Sequence, residues 1–264
     1  MKRNQKEHRG AAERPSRATP AARSRPRGTR KPSISAFFPA YNEEANIGAL
    51  CLKTAGVLKR LAGDWEVVAV DDGSRDRTAA VVAALHAKEP RIRVVSHAVN
   101  QGYGAAVKTG FASARMDWVF FSDGDGQFDV AELERLLPLM DGHDLVVGYR
   151  IKRADPLQRR LNAWAWGTLV RTLFGLRGVR DIDCAFKLVR RSVFDTFHLE
   201  TNGAMISTEL LVKAQKNGFR TVEVGVNHYP RTAGVQTGAK LKVIARAFKE
   251  LFRYSVVWRL RGWR

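Results

Sequence analysis

Apolar runs alternate with helix-like patterns along the chain from Ser33 onward. Runs of apolar residues bounded by polar turn residues predict buried strands, and apolar residues that recur every three or four positions predict helices. Strands are predicted at residues 34–39, 65–70, 92–96, 118–121, 144–147 and 221–226. Helices are predicted at residues 43–61, 76–88, 104–114, 156–174, 206–217 and 243–254. This alternation with short connections predicts an α/β fold, with a mostly parallel sheet covered by helices on both faces.

An acidic, glycine-rich segment directly follows the fourth predicted strand. It reads Asp123-Gly124-Asp125-Gly126-Gln127. Side chains two residues apart on an extended chain point the same way, and glycine lets backbone and ligand approach closely. Because a pair of carboxylates suits Mg²⁺ or Mn²⁺, Asp123 and Asp125 are predicted to hold a nucleotide diphosphate through a metal ion. The alternative is an acidic turn without a ligand, which the position at a strand end disfavours.

Polar residues also follow the first two strands. Tyr41 and Glu43 come after the first strand, and Asp71 ends the second. A carboxylate at the end of an apolar strand is well placed to accept hydrogen bonds from a base or ribose, and a nearby aromatic ring can stack or donate. Residues 100–104, Asn-Gln-Gly-Tyr-Gly, open the third helix, where free backbone N–H groups can receive an anion. These strand ends predict a nucleotide site.

The chain is strongly basic, with a formal net charge of +19. This charge implies an anionic partner, which is nucleic acid, acidic lipid or a phosphorylated substrate. Residues 1–32 carry 11 of the lysines and arginines against 2 glutamates, with almost no large apolar side chains, and are predicted to be a disordered basic tail. About half of the net positive charge therefore lies outside the predicted folded part, which weakens a nucleic-acid function there. The tail is either a solvated arm or a segment that binds anionic lipid headgroups.

The two cysteines and the lack of long apolar segments indicate the cellular compartment of the protein. Cys51 and Cys184 are the two cysteines; they exclude a disulfide framework and lack the cysteine or histidine neighbours of a zinc site. They fit a reducing, cytosolic setting. No signal-peptide core begins the sequence, and no stretch approaches the roughly 18 apolar residues of a membrane span. The chain is expected not to cross a membrane by itself.

Residues 240–264 are predicted to form an amphipathic helix. One of its faces carries apolar or small residues, namely Leu241, Ile244, Ala245, Phe248, Leu251, Phe252 and Ser255. Core packing is the usual role of such a stripe. Trp258 and Trp263 continue the segment among arginines, which is the composition of interfacial segments. The helix is therefore predicted either to pack on the core or to lie on a membrane surface.

Four spaced motifs together carry a resemblance to a known family. They are Pro39-Ala40-Tyr41-Asn42-Glu43-Glu44, Asp71-Asp72-Gly73-Ser74-x-Asp76-x-Thr78, Asn100-x-Gly102-x-Gly104 and Asp123-Gly124-Asp125-x-Gln127. In this order they resemble the strand-end signatures of family 2 glycosyltransferases, which have the Rossmann-like GT-A fold. The resemblance implies a glycosyltransferase domain over residues 33–239, between the basic tail and the C-terminal helix.

Within that family, the chain looks like the dolichyl- or polyprenyl-phosphate mannosyltransferases. The residues that carry this likeness are Gly148-Tyr149-Arg150, Arg159-Arg160, Asp181-x-x-Cys184-Ala185-Phe186-Lys187-Leu188 and Arg231. Where such enzymes often have a lysine soon after the last phosphate-binding arginine, this chain continues from residue 232 as Thr-Ala-Gly-Val-Gln-Thr-Gly-Ala before Lys240. Because of this departure, the resemblance does not determine the donor sugar or the role of Lys240.

The resemblance implies a role for each matching residue. The nucleoside would be held by Pro39, Tyr41, Glu43 and Asp71. The metal ion and donor diphosphate would be held by Asp123, Gly124, Asp125 and Gln127. The phosphate groups of donor and acceptor would be held by Arg150, Arg159 and Arg231, because guanidinium groups bind phosphate oxygens in pairs and stay charged. The catalytic residues would be Asp125, Asp181 and Arg231, with Asp181 orienting the acceptor region unless it is only a loop residue paired with a nearby arginine.

The implied function is the transfer of a hexose, with mannose from GDP-mannose favoured, to a polyprenyl or dolichyl phosphate, with inversion. An acceptor phosphate is already ionised near neutral pH, so no strong base is required. The enzyme would work at an anionic membrane surface, as a peripheral protein on the cytoplasmic face, and a separate membrane-anchor protein could assist it. No nucleic acid is expected as a partner.

Two other interpretations remain open from the sequence. A glycosyltransferase that uses UDP-glucose or a sugar hydroxyl acceptor would need a general base in the latter case, and the candidates are Asp181, Asp183 and Glu209. A non-enzymatic protein that binds nucleic acid or anionic lipid would lose affinity steeply with salt and would need no divalent cation. The strand-end carboxylates argue against this last interpretation, because they repel phosphate unless a metal ion intervenes.

Overall fold

The computed structural model describes residues 31–151, 157–230 and 241–263, except for the side chains of residues 157–160, 162, 163, 241–247 and 259. A seven-stranded sheet with the order β3-β2-β1-β4-β6-β5-β7 forms its centre. The strands are β1 (Ser33–Ala40), β2 (Asp64–Asp71), β3 (Ile92–Ser96), β4 (Trp118–Ser122), β5 (Leu145–Arg150), β6 (Phe186–Arg190) and β7 (Thr221–Val226). The predicted α/β fold with a mostly parallel sheet is confirmed.

Helices flank this sheet, and they bury its apolar strands. They are α1 (Ile47–Leu61), α2 (Thr78–His86), α3 (Tyr103–Ser113), α4 (Leu157–Phe174), α5 (Ile206–Lys216) and α6 (Leu241–Arg261), with short 3-10 helices at Val130–Arg135, Leu137–Met140 and Arg191–Asp195. Phe37 of β1 packs between Phe111 of α3 and Phe121 of β4, with ring centroids 4.9 and 5.1 Å away. Continuous apolar strands are expected where both faces of a sheet are covered.

Strand β6 is absent from the sequence prediction, although it lies near the middle of the sheet. It runs antiparallel to β4 on one side and to β5 on the other. The run Phe186–Arg190 contains Lys187, whose side chain is fully buried. A lysine in so short a run argues against a buried strand, because lysine is almost never fully buried unless it is paired. The sequence pattern therefore did not predict β6.

Helix α1 begins at Ile47, four residues after the predicted start. The backbone N–H of Glu43 donates to Thr78 Oγ1 at 2.9 Å, and that of Glu44 donates to Asp76 Oδ2 at 3.2 Å. These bonds tie the segment after β1 to the turn before α2, so that its N–H groups are satisfied outside a helix. The residues after β1 are therefore held at the sheet edge.

Helix α6 extends beyond the helix predicted at residues 243–254 and lies within the predicted amphipathic segment 240–264, and the residues of its apolar stripe are not all buried. Leu251 and Trp258 are buried, and the Trp258 ring lies 5.6 Å from that of Phe174 at the end of α4. Phe248 and Phe252, predicted to share a face with Leu251, are exposed by 49% and 77%. The residues of the predicted face therefore differ in burial. Neither core packing nor surface exposure describes the whole stripe.

Other expectations concern the tail, the cysteines and membrane spans. Residues 1–30 of the predicted tail lie outside the described residues. Cys51 and Cys184 are free and buried, and burial raises the pKa of each thiol to about 12. Among the described residues, none of the helices combines the length and apolar character needed to cross a membrane.

Candidate active site

One edge of the sheet collects the polar residues that follow its strands. Strands β1, β2, β3 and β4 are parallel, so the residues after Ala40, Asp71 and Ser122 meet at the same edge. Because β6 is antiparallel to β4 and β5, its beginning lies at this edge, together with the end of β5. The loop before β6, which contains Asp181, is thereby brought beside Arg150. Ligands of open α/β sheets bind at such an edge.

Asp123 and Asp125 lie at the centre of this edge, and both are partly exposed. Asp123 Oδ1 accepts a hydrogen bond from the Tyr103 hydroxyl at 2.9 Å, and Asp125 Oδ1 accepts one from the Gln127 backbone N–H at 3.1 Å. Burial, followed by the charge of Asp125, raises the pKa of Asp123 to about 7. The two carboxylates therefore repel one another, and a cation between them would relieve this repulsion.

The glycine between the two aspartates is required by the protein backbone itself. A Cβ atom at Gly124 would lie 2.6 Å from the Pro39 carbonyl oxygen. Strand β1 thus passes directly behind the acidic pair, which explains why Gly124 and Pro39 belong to one site. The next glycine, Gly126, has a φ of +73°, which favours glycine over other residues.

The chemistry of this pair fits a hard divalent cation that also binds a ligand. Mg²⁺ is typically held by one or two carboxylates together with substrate phosphates and water. Within the described part of the chain, no group of three or more His, Cys, Asp or Glu side chains is suited to a metal ion. A cation held by Asp123 and Asp125 would therefore need further ligands from a bound molecule or water. Gln127, the third predicted ligand, donates its side-chain amide to the Tyr229 carbonyl at 3.0 Å.

The residues predicted to hold the nucleoside lie in the last part of β1, just after it, and at the end of β2. Asp71 is buried and accepts a hydrogen bond from the Ser74 backbone N–H at 3.1 Å. Pro39 is buried within β1, Glu43 is nearly buried, and the Asn46 amide donates to Glu43 at 2.7 Å. Tyr41 is exposed and is free to meet a ligand ring. These side chains lie on the β1–β2 side of Asp123.

Asp72 serves a different purpose from its neighbour Asp71. It accepts hydrogen bonds from the backbone N–H groups of Gln101 and Gly102, each at 2.9 Å. His97 Nδ1 lies 2.7 Å from Asp72 Oδ1, and its Nε2 lies 2.8 Å from Thr109 Oγ1. Asp72 thus fixes the loop that leads into α3. The predicted anion site at residues 100–104 is occupied in part by this protein carboxylate.

Arg150 and Asp181 form a bidentate, mostly buried ion pair. Arg150 Nε and Nη2 donate to the two Asp181 carboxylate oxygens, each at 2.7 Å, and the Arg150 backbone N–H donates at 3.2 Å. Burial opposes the charge of Arg150, but Asp181 outweighs burial and raises the pKa of the guanidinium. The sequence left open whether Asp181 orients an acceptor or pairs with an arginine. The structure places it in the pair.

Lys187 is buried beneath the acidic centre, and the sequence analysis named it within a motif but gave it no role. Its Nζ donates to the carbonyl oxygens of Ile182 and Cys184 and, at 3.4 Å, to Ser207 Oγ. Burial lowers the pKa of Lys187 and outweighs the opposing effect of nearby acidic groups. These bonds hold the turn that follows Asp181 against the sheet. The signals in the sequence were its place in the Asp181–Leu188 motif and a lysine inside an apolar run.

The remaining candidate residues from the sequence are Arg159, Arg231, Asp183 and Glu209. Arg231 lies outside the described residues, and of Arg159 only the backbone, in α4, is described. Glu209, a candidate base, is fully buried and accepts hydrogen bonds from Thr201 and from the Glu200 backbone N–H. Asp183 is exposed and lines a cavity of about 140 Å³ beside α4.

The curated proteins that are similar in sequence include two sugar transferases. The chain is 29% identical over 216 residues to the undecaprenyl-phosphate 4-deoxy-4-formamido-L-arabinose transferase of Pectobacterium carotovorum subsp. carotovorum, covering 80% of this chain and 64% of that protein. It is 32% identical over 210 residues to a dolichyl-phosphate beta-glucosyltransferase of Trichomonas vaginalis, covering 71% of this chain and 61% of that protein. The matched part is thus less than two thirds of the length of either relative.

Solved structures show the same fold at lower identity. Glucosyl-3-phosphoglycerate synthase of Mycobacterium tuberculosis, in complex with Mn²⁺ and uridine-diphosphate-glucose, superposes with a TM-score of 0.65 at 21% identity over 85% of this chain and 79% of that chain. Mannosyl-3-phosphoglycerate synthase of Rubrobacter xylanophilus gives a TM-score of 0.65 at 21% identity over 87% of this chain and 74% of that chain. These similarities support the GT-A fold alone.

The span of the family match includes the whole acidic edge. Residues 35–197 match Glycosyl transferase family 2, which is more than half of the chain. This span contains Asp71, Asp123, Asp125, Arg150 and Asp181, the side chains that the sheet brings to one edge. The chain belongs to glycosyl transferase family 2.

Proposed function

We propose that this protein is a glycosyltransferase that moves a sugar from a nucleotide-sugar donor to a polyprenyl phosphate. The observation that carries the proposal is the carboxylate pair Asp123 and Asp125 at the sheet edge, where Asp71 and Tyr41 also lie. The names of the two sequence relatives, which cite undecaprenyl phosphate and dolichyl phosphate, support a polyprenyl-phosphate acceptor. We further propose that the reaction inverts the anomeric centre.

The donor would lie across the ends of β1, β2 and β4. Tyr41 would stack on the base, Asp71 would accept hydrogen bonds from the base or ribose, and Pro39 and Glu43 would line the same subsite. Asp123 and Asp125 would hold Mg²⁺ or Mn²⁺, with Gly124 and Gln127 beside the diphosphate. When bound, the cation would neutralise the negative charge that develops on the departing diphosphate, which is the demanding part of the reaction.

The acceptor phosphate would approach from the side of β5 and β6. Asp181 holds the Arg150 guanidinium by two of its N–H groups. Arginine has five such donors, so others remain for a phosphate oxygen. Arg159 and Arg231 are proposed as further phosphate ligands on the resemblance alone.

An ionised acceptor explains how the site could work without a strong base. Glu209 is buried in its own hydrogen-bond network, and Asp181 is committed to Arg150. Of the three candidate bases for a hydroxyl acceptor, only Asp183 is exposed. A phosphate acceptor needs no proton removed near neutral pH, so the arrangement favours it over a sugar hydroxyl.

The reaction can be tested with radiolabelled donors. GDP-mannose, favoured by the sequence motifs, and UDP-glucose, favoured by the name of one relative, would each be incubated with polyprenyl phosphate in detergent and Mn²⁺ or Mg²⁺. We expect label from one of them in the organic phase, with loss of this signal in EDTA. A matched reaction with polyprenol, which lacks the phosphate, should give none. Equal labelling of polyprenol would contradict the proposed acceptor, and no labelling from either donor would contradict mannose and glucose as the transferred sugar.

We also propose that α4 and α6 attach the protein to an anionic membrane surface. Four apolar residues spaced along α6 are exposed, namely Phe248, Phe252, Val256 and Leu260. On α4, Leu161, Trp164 and Leu169 are exposed as well, and the Trp166 and Phe248 rings lie 5.4 Å apart. The exposed cations Lys249, Arg253 and Arg261 accompany this surface. Apolar side chains among cations match the boundary between anionic headgroups and acyl chains. A position on the cytoplasmic face, with or without a separate anchor protein, remains a prediction.

Membrane attachment predicts a measurable loss on removing two apolar side chains. The double variant Phe252→Ser, Leu260→Ser should bind vesicles of phosphatidylcholine and phosphatidylglycerol at least about tenfold more weakly, because burying either side chain contributes more than about 1.4 kcal/mol. Sedimentation with vesicles would measure this. Leu52→Ser, at an exposed leucine on α1, is the matched control and should bind like the original protein. Unchanged binding of the double variant would refute the assignment.

A further inference from the structure

Tyr103 is in direct contact with the acidic pair, although neither the motifs nor the composition assigns it a role. Its hydroxyl donates to Asp123 Oδ1 at 2.9 Å, and its ring lies 6.5 Å from that of Phe121 in β4. Tyr103 begins α3, some twenty positions before Asp123 in the sequence. The contact therefore joins two separate elements of the site.

The start of α3 is fixed from two sides, so the position of Tyr103 is well determined. Gly102 has a φ of +99° and donates its N–H to Asp72, which also receives the N–H of Gln101. The Gly104 N–H donates to the Asn202 carbonyl at 3.0 Å. A Cβ at Gly104 would lie 2.6 Å from the Asn202 backbone, so this close packing requires glycine. The hydroxyl is thus held in place by backbone contacts.

We propose that Tyr103 is a positioning residue that holds the Asp123 carboxylate in the orientation needed to bind a divalent cation. The inference rests on the proposed function, since it takes Asp123 as a metal ligand. A carboxylate has about four lone-pair sites on two oxygens, so one hydrogen bond at Oδ1 leaves room for a cation. The hydroxyl also stabilises the charged form of Asp123 against the neighbouring charge of Asp125.

This role differs from simple packing because it depends on one hydroxyl group. Hydrogen bonds from outside the coordination sphere orient metal ligands, and their loss typically weakens metal binding by about 10- to 100-fold. The Tyr103→Phe variant keeps the ring beside Phe121 and removes only the donor. Metal affinity should fall in this variant while the fold is retained.

Binding of Mn²⁺ tests the inference without any turnover. Free Mn²⁺ would be measured by electron paramagnetic resonance during titration of the full chain, with saturating UDP and, separately, saturating GDP. With the nucleotide that supports binding, Tyr103→Phe should raise the Kd for Mn²⁺ by about tenfold or more. Tyr254→Phe, a matched change on α6 away from the edge, should leave that Kd unchanged.

Repeating the measurement in an Asp123→Asn protein tests whether Tyr103 acts through Asp123. In an Asp123→Asn protein, which should bind Mn²⁺ weakly, adding Tyr103→Phe should weaken binding no further. A Kd that is unchanged or lower in Tyr103→Phe alone would overturn the inference while leaving the proposed function standing. An equal further loss in the Asp123→Asn background would also overturn it. No Mn²⁺ binding by the original protein with either nucleotide would overturn both the inference and the metal-assisted function.

Discussion

Asp125→Asn is expected to reduce sugar transfer by about 100-fold or more while leaving the fold intact. The substitution is nearly isosteric, and its amide oxygen can still accept the Gln127 N–H that Asp125 accepts at 3.1 Å. It removes one of two charges available for a cation, whose stabilisation of developing charge contributes several kcal/mol, and each ~1.4 kcal/mol is a factor of ten in rate. The radiolabel assay measures the rate, and a circular dichroism melt checks the fold.

Asp129→Asn supplies the matched control for this result. Asp129 lies four residues further along, caps a 3-10 helix by accepting the Ala131 N–H at 3.0 Å, and pairs with Lys53 at 2.9 Å. The same chemical change there should leave transfer within about twofold, because an exposed ion pair contributes little. Near-normal turnover in a folded Asp125→Asn protein would mean that the acidic segment is only a turn.

Arg150→Met is expected to lower the free energy of unfolding by about 3 kcal/mol. It removes the partner of Asp181, whose side chain is only 12% exposed. Breaking a buried ion pair from one side is costly, because an unpaired charge is left in a poorly solvated place. Urea denaturation followed by circular dichroism would measure the change. Arg60→Met is the matched control, since Arg60 pairs with Glu134 on the surface, and it should cost no more than about 1 kcal/mol.

A double variant distinguishes the ion pair from ordinary packing. Asp181→Asn alone should also destabilise the protein, since it leaves Arg150 charged and poorly solvated. The combined variant Arg150→Met, Asp181→Asn has no unpaired charge, so its loss should be smaller than the sum of the two single losses by at least about 1 kcal/mol. Strictly additive losses would show that the two side chains contribute independently.

Local sequence patterns were sufficient to predict the first four strands and the acidic edge. Each of these strands is an apolar run between polar turns; β1, β2 and β4 are almost wholly buried, whereas β3 at the end of the sheet is only partly buried. Since parallel strands end at one edge of the sheet, the sequence alone predicts that Asp71 and Asp123 lie near each other. Boundaries were less accurate where side chains cap the backbone, as Thr78 does for Glu43.

Contacts between distant segments could not be predicted from such patterns. The pairing of Arg150 with Asp181 depends on β6, which was not predicted because its short apolar run contains a buried lysine. The hydrogen bond from Tyr103 to Asp123 joins a helix start to a strand end, and nothing in either motif specifies it. The exposure of Phe252 follows from how α6 packs on α4 through Trp258, which periodicity alone does not determine.

The antiparallel strand β6 has a consequence for the order in which the protein is made. Strands β1 to β4 are contiguous in sequence and pair among themselves, and domains generally begin to fold from the N-terminal side during synthesis. Until Phe186–Arg190 leaves the ribosome, one long side of β4 has no strand to pair with. An unpaired apolar strand edge is a template for aggregation, so the nascent chain should depend on chaperones most strongly during this interval. The second half of the site, with Arg150 and Asp181, is assembled only when β6 fills this gap.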